Sequence, residues 1–568
     1  MLKEEIKKIL EQVASELEIS TENISVDYPV DSKHGDYSTN VALVTAKKVG
    51  KNPKELAEDL RLKIKDLGIF EKIEIAGPGF INMWIKNAKF IEQIDSIRDG
   101  KIQLESKAIQ ISGKKVMVEF AHPNTHKAFH IGHLRNITTG ESIVRLLEAV
   151  SVKVIRANYQ GDVGMHIAKC LYGILQNSEF KSQISKMTDV RERVELLGNA
   201  YAAGSKAFEE DENAKKEIGE INKKIYAKEP SIWELYQTTR KWSLEYFEEI
   251  YKRVYTHFDK YYFESQAYES GKENVLDGLK KGVFMKGEGG AIIFPGSKYG
   301  LHDRVFITGE GNPTYEGKDI GLAPLQFRDF NPDVIIHLVG PEQAGYFQVV
   351  FEALAQLFPE TRGREKHQAY GWVKLKHGKM SSRTGNVVLG EWLLDEAKKK
   401  IVETYEVKDE LAEKIAVGAV KYSFLKVGLN QEIAFDLEES ISLQGNSGPY
   451  LQYTFARTQS LLSKSQKSNL KSQNLEKGFE LLPEERDVLR LLTRFPEIVS
   501  EAAQRYAPHI LCTYLFDLAQ TFNLFYQKLP ILKAEENERE LRLHITQSTG
   551  VILKQGLDLL GITAPEKM

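Results

Sequence analysis

From Val116 to Ala121 the chain is apolar except for Glu119, and from Ile131 to Val150 its apolar residues recur at three- and four-residue spacing. The first pattern predicts a buried strand and the second a helix with one face on a core. KVIRANYQ (153–160) is strand-like again, so strand, helix and strand follow in short order and predict a βαβ unit with a parallel sheet. Residues 1 to about 105 alternate helical and strand-like segments and close on a Gly-Pro turn and a β-rich run, EIAGPGFINMWI. The polar, basic stretch from about Asp99 to Lys115 reads as a linker. Residues from about 180 to 255 are charge-rich and helical, which predicts an insertion, and strand-like pieces resume with GAIIFPG, RVFIT, PTYEGKDIG and VIIHLVG. Beyond about 400 the β signal fades and Leu, Phe and Tyr recur at helical spacing to Met568; KSQKSNLKSQNLEKG (464–478) reads as an exposed loop within that region.

Length and composition fit a multi-domain α/β protein. At 568 residues, with 42% hydrophobic and 28% charged residues, the chain is long enough for roughly three or four domains at about 150 residues each. The net charge of −3 neither favours nor excludes nucleic acid, because a local basic patch can supply the field. Two cysteines, Cys170 and Cys512, exclude a disulfide framework and argue against a structural zinc held by thiolates. The amphipathic start carries Glu4, Glu5, Glu11 and Glu16, which argues against a transit peptide. No apolar run approaches the ~20 residues that span a bilayer. A reduced, cytoplasmic setting without a membrane partner is expected.

The candidate chemistry lies in two short strings. His130-Ile131-Gly132-His133 stands where the predicted strand gives way to the predicted helix, and Lys379-Met380-Ser381-Ser382-Arg383 follows 249 positions later (379 − 130). A helix N-terminus offers unpaired amides and partial positive charge, which suits phosphate. Gly132 leaves room for a base or ribose near the backbone. His130 and His133, three apart, share one side of the first turn and can donate to phosphate oxygens as charge develops. An isolated HxGH also fits two surface histidines capping a helix; the strand before, the helix after and the cationic loop downstream favour chemistry. That loop, KLKHGKMSSRTGNVV, sets Lys374, Lys376, His377, Lys379 and Arg383 among Gly378, Ser381, Ser382 and Gly385, a composition suited to neutralising a triphosphate.

The first string resembles the HIGH signature of class I aminoacyl-tRNA synthetases and the second their KMSKS loop. Longer segments resemble the arginyl-tRNA synthetase family: VEFAHPNTHKAFHIGHLRN, IRANYQGDVGMHIA, FDKYYFES, PTYEGKDIG, VGPEQAGYFQ, LQGNSGPYLQYTFAR and the ending DLLGITAPEKM. Three departures stand out. Ser382 replaces the second lysine of KMSKS, Phe263 stands where glycine is usual, and Lys318 replaces the usual arginine. Family members that lack the second lysine tend to carry one just upstream of the first signature, which points to Lys127.

The resemblance implies a Rossmann-like parallel-sheet catalytic domain over 106–395 with a helical insertion at about 180–290. It implies an α+β N-terminal domain over 1–105 that contacts the tRNA elbow, and an all-α anticodon-binding domain over 396–568. ATP, with Mg²⁺, would be held by His130, Gly132, His133, Lys379, Met380, Ser381, Ser382 and Arg383, with His130, His133, Lys127 and Lys379 catalytic. A guanidinium is best recognised by planar carboxylates and hydroxyl acceptors in a fixed fork. On the family pattern Tyr315, Asp319 and Glu264 read it, while Asn124 and Gln343 hold the α-amino and carboxylate end with Glu119 in support. In the N-terminal domain Phe80 would stack on a base that Asn40 and Asn82 read; in the C-terminal domain the exposed aromatics Tyr450, Tyr453 and Tyr514, with Arg457 and Met568, would meet the anticodon loop. The implied activity is ligation of arginine to its tRNA through an arginyl-adenylate, with activation dependent on bound tRNA and the protein acting as a monomer. A cysteinyl-type relative would need a zinc site that two distant cysteines do not easily build. A small-molecule nucleotidyltransferase would not need about 170 helical residues after its core. A non-catalytic tRNA-binding relative would be expected to lose the histidines or the carboxylates.

Overall fold

The computed structural model describes residues 2–17, 24–29, 31–100, 102, 104, 113–184, 186–376, 388–465 and 480–568. At the N-terminus β1 (Val26–Asp27), β2 (Tyr37–Thr39), β3 (Phe70–Ala76) and β4 (Phe80–Ile85) form an antiparallel sheet in the order β1-β2-β4-β3. The helices Leu2–Glu16, Val41–Val49 and Pro53–Ile64 bury Ile6, Leu10, Val41, Leu56 and Leu60 in the same core.

The central domain is built on β5 (Lys115–Glu119), β6 (Lys153–Gln160) and β7 (Lys260–Phe263). Three short antiparallel strands follow, β8 (Met285–Lys286), β9 (Ile292–Phe294) and β10 (Arg304–Ile307). Then β11 (Val334–Val339) and β12 (Glu365–Ala369) return to the main sheet, which is parallel throughout in the order β12-β11-β5-β6-β7. The chain thus winds outward from β5 in one direction and then in the other. Such a reversal opens a crevice at the carboxyl ends of the strands, here between β5 and β11. The helix Ile131–Ala149 begins at that crevice and supplies the predicted βαβ crossover.

Three expectations need correction. PTYEGKDIG is not strand: Thr314 caps a helix over Tyr315–Phe330, its Oγ1 accepting from Gly317 N at 3.4 Å. The expected insertion at about 180–290 contains β7 of the main sheet, and the helices from Ser178 to Arg253 connect β6 to that strand. The region beyond 400 is not wholly helical, because β14 (Ile433–Phe435) pairs in parallel with β13 (Val373–Leu375). The long helices Gly448–Lys464, Pro483–Gln504, Pro508–Lys528 and Glu536–Leu559 follow.

Two close helix approaches shape the crevice. The helices Glu264–Lys280 and Tyr315–Phe330 meet backbone to backbone: a Cβ at Gly271 would lie 2.1 Å from Gly317 O, and one at Gly321 would lie 2.1 Å from Ala267 O. Behind the crevice, a Cβ at Gly140 would lie 2.3 Å from Cγ of Phe120, a buried ring packed on Phe258 at 4.7 Å. Gly140→Ala would gain about 1 kcal/mol in helix propensity and lose more by forcing that ring aside. We expect a net loss of about 1–2 kcal/mol, read as a lower urea midpoint at unchanged slope.

Candidate active site

His130 is the N-cap of the helix Ile131–Ala149, with extended backbone. Its Nδ1 accepts from Gly132 N at 3.1 Å and His133 N at 3.4 Å, while His133 Nδ1 accepts from His130 N at 3.2 Å. The two rings stack at 3.7 Å with a 20° interplanar angle. Burial, and then the charge of Lys127, press the His130 imidazole down to about 4. Burial, reinforced by His130, His122 and Lys127, holds His133 well below the ordinary histidine range. Both rings are therefore neutral at pH 7. Because each Nδ1 accepts a backbone N–H, each proton is assigned to Nε2, leaving two parallel N–H donors at a helix N-terminus. Gly132 is needed for the cap itself, since a Cβ there would lie 2.9 Å from His130 Cε1.

A cavity of about 580 Å³ opens beside these rings at the switch between β5 and β11. Glu119, Asn124, Glu264, Tyr315, Asp319 and Gln343 all line it, as do His130 and His133. Local structure explains each position. Glu119 ends β5, and Asn124 makes a parallel bridge with Gly161. A Cβ at Gly161 would lie 2.1 Å from Asn124 Oδ1, so the glycine makes room for that amide. Glu264 opens a helix whose first turn is fixed by buried Asp162, which accepts from Ser265 N at 2.9 Å, Ser265 Oγ at 2.8 Å and Arg240 Nε at 2.9 Å. Phe263, in place of the usual glycine, puts its ring 4.2 Å from the Arg240 guanidinium. Tyr315 is 68% exposed at the mouth and Gln343 lies on the exposed turn after β11.

The acids of the cavity differ in their partners. Glu264 is buried and paired with Lys318 Nζ at 2.5 Å; burial raises its carboxyl and the lysine offsets part of that. Glu119 is buried too, but the charge and hydrogen bond of His337 outweigh burial and hold it below the usual range. Asp319 has a neutral partner, the Tyr346 hydroxyl, which donates to it. Loss of solvent pushes the Asp319 carboxyl up to about 7 against the pull of that bond, with Glu119 and Glu264 adding to the rise.

Not every expected residue joins this cluster. Lys127 lines a separate small cleft against the helical connection, with Nζ 5.7 Å from the Tyr201 ring, although its charge reaches both histidines. Lys379, Met380, Ser381, Ser382 and Arg383 lie outside the described residues, as do His377, Gly378 and Gly385. Of the described flank, Lys374 pairs with Glu432 at 2.9 Å and Lys376 with Asp436 at 3.2 Å.

In the N-terminal domain Phe80 is 41% exposed, whereas Asn40 Oδ1 accepts from Ser25 N at 2.9 Å and buried Asn82 accepts from Ser38 Oγ at 2.8 Å. In the C-terminal domain Arg457 sits 4.9 Å from the Tyr453 ring and 5.1 Å from that of Tyr526. Tyr450 Oη accepts from Asn523 Nδ2 at 2.9 Å, and Met568 packs on the core. Tyr514 is not an exposed aromatic: it is buried, and its hydroxyl donates to Leu491 O at 2.9 Å. Sequence reasoning missed Tyr346, Asp162 and His337. The first two lay inside segments already singled out, and His337 was marked by standing in an otherwise apolar strand.

Neutral donors and an acidic cavity at the switch point of a parallel sheet, followed by a helical domain, are the plan of a class I aminoacyl-tRNA synthetase. The family model for tRNA synthetases class I (R), catalytic domain, matches residues 94–437. The arginyl tRNA synthetase N terminal domain matches 1–85 and the DALR anticodon binding domain 451–568. The chain belongs to the arginyl-tRNA synthetase family. It is 33% identical to the arginine–tRNA ligase of Treponema denticola, across 97% of this chain and 96% of that one. It is 32% identical to that of Borreliella burgdorferi, across 100% and 99%. The solved arginyl-tRNA synthetase of Thermus thermophilus matches over all of both chains with a TM-score of 0.80 at 25% identity. The Plasmodium falciparum structure shares the fold, with a TM-score of 0.80 at 23% identity.

Proposed function

We propose that this chain ligates arginine to its tRNA in two steps. An oxygen of the arginine carboxylate attacks the α-phosphorus of ATP in line, and pyrophosphate leaves with the broken P–O bond. A terminal ribose hydroxyl of the tRNA then attacks the arginyl carbonyl, and AMP leaves. Mg²⁺ arrives with ATP as part of the substrate complex. No protein nucleophile is needed, so the chain's task is positioning and charge stabilisation.

The observation that carries this reading is the pairing of Asp319, an acid without a cationic partner in its hydrogen bond, with two neutral Nε2–H donors on the same cavity. A guanidinium meets the acid and the phosphates meet the donors. The buried Lys318–Glu264 pair uses Glu264 Oε2, which leaves Oε1 for a second contact with the guanidinium. Lys127 and Lys379 supply positive charge to the phosphates, and tRNA binding completes the site for activation. Phe80 at one end and Tyr453 with Arg457 at the other suit unpaired bases. Division at 1–105, 106–395 and 396–568, a monomeric state and a cytoplasmic location complete the proposal.

Charging of tRNA transcripts with labelled amino acids tests it. Arginine should be transferred, while citrulline, which is isosteric but uncharged, should be rejected by about a hundredfold or more in kcat/KM. Equal transfer of both would remove Asp319 from its role. Lys127→Ala should slow adenylate formation by about tenfold to a hundredfold at unchanged arginine affinity. An unchanged rate would show that Lys127 does not substitute for the lysine missing at Ser382.

A further inference from the structure

His337 belongs to none of the segments that recommended the site, yet it lines the cavity with both ring nitrogens bonded to buried carboxylates. It lies in β11 directly opposite Glu119 of β5, on a strand whose other side chains are aliphatic. Its Nδ1 is 3.0 Å from Glu119 Oε1 and its Nε2 is 2.7 Å from Glu365 Oε2. All three side chains are more than nine-tenths buried. A carboxylate only accepts, so a histidine bonded to one through each ring nitrogen must donate from both. That requires the imidazolium. The rings of Phe347 and Phe351, at 5.2 and 5.6 Å, exclude water from its faces.

We propose that His337 is a positioning residue for arginine: held as an imidazolium between Glu119 and Glu365, it fixes the Glu119 carboxylate, ionised and in one rotamer, where the substrate's α-ammonium docks. The inference rests on the reading of this cavity as the arginine site. Glu119 cannot drift, because Gln326 Nε2 holds its other oxygen. Glu365 Oε1 has no hydrogen-bond partner among the described residues, so Glu365 serves His337 and adds negative charge to the floor. The triad carries one net negative charge (two carboxylates, one imidazolium), which suits a cationic ligand and would repel phosphate. The titratable neighbours are His122 on the β5 side, His367 on β12 and Asp319 on the facing helix. Both histidines are pressed down by burial, so the positive charge of this cluster rests on His337.

The test compares wild type, His337→Gln and Glu365→Gln in arginine-dependent charging, with KM determined separately for arginine and ATP. His337→Gln should raise KM for arginine by about tenfold or more while KM for ATP stays within about twofold, and Glu365→Gln should act in the same direction by less. Nitrogen-15 spectra of histidine-labelled protein should show both His337 ring nitrogens protonated well above the ordinary histidine range in wild type, and a titration at lower pH in Glu365→Gln. Equal changes in both KM values, or lower kcat and melting temperature with both KM values unchanged, would reduce His337 to a structural role. A neutral His337 at pH 7 in wild type would overturn the proposal even if His337→Gln does not fold. Wild type that charges no arginine would overturn the reading of the site instead.

Discussion

Replacing Asp319 by asparagine is expected to raise KM for arginine by about a hundredfold or more, while leaving the fold and KM for ATP close to wild type. Asparagine keeps the shape and can still accept from Tyr346, so the loss isolates the negative charge. The same carboxyl sets a pH dependence whose sign follows from its environment. Burial pushes Asp319 up to about 7 in the free protein. Arginine binds the ionised form, so the proton and the guanidinium compete. Above about pH 7 arginine affinity should be flat, and below it affinity should fall towards tenfold per pH unit. In Asp319→Asn that slope should vanish. A slope unchanged in the variant would assign the titration to another group.

The paired histidines should give the largest effect on turnover. His133→Ala removes an Nε2–H donor aimed from the helix start, and we expect kcat for adenylate formation to fall by about a hundredfold to a thousandfold. His130 needs a subtler substitution, because it also caps the helix through Nδ1. His130→Ala would lose about 1 kcal/mol of stability along with the donor. His130→Asn retains a good cap and removes only the Nε2–H, so it should match wild type in melting temperature and fall with His133→Ala in kcat. Since both rings are neutral at pH 7, activity should not gain from acidification between pH 7 and 6. Faster turnover there would mean that the imidazolium is the working form.

Some of this was legible in the sequence because the physics is local. A strand, a cap and a helix within about thirty residues announced the nucleotide half of the site. The acids were legible through segment resemblance, and all six of the expected arginine-side residues line the one cavity. What escaped depends on tertiary approach. The helix Tyr315–Phe330 was hidden by Thr314 and Tyr315, which favour strands, and by Gly317, Gly321 and the internal Pro324. Gly321 is spent on the close passage of the helix Glu264–Lys280 and Gly317 on the approach of Phe306 O, and the helix passage delivers Lys318 to Glu264. Lys318 was visible as a departure, but its partner 54 positions away was not. His337 follows the same logic, since its two carboxylates come from different strands. Tyr514 failed for the ordinary reason that an aromatic at helical spacing faces the core. Asn40 and Asn82 look like base readers in a string of letters, and in three dimensions each commits its carbonyl to the N-terminal domain.

The most direct measurement is ATP–pyrophosphate exchange across the amino acids, with and without tRNA. The account predicts exchange with arginine once tRNA is added, none with cysteine or citrulline, and loss of the arginine signal in Asp319→Asn. No arginine-dependent exchange in the presence of tRNA, or the same exchange in Asp319→Asn as in wild type, would contradict it.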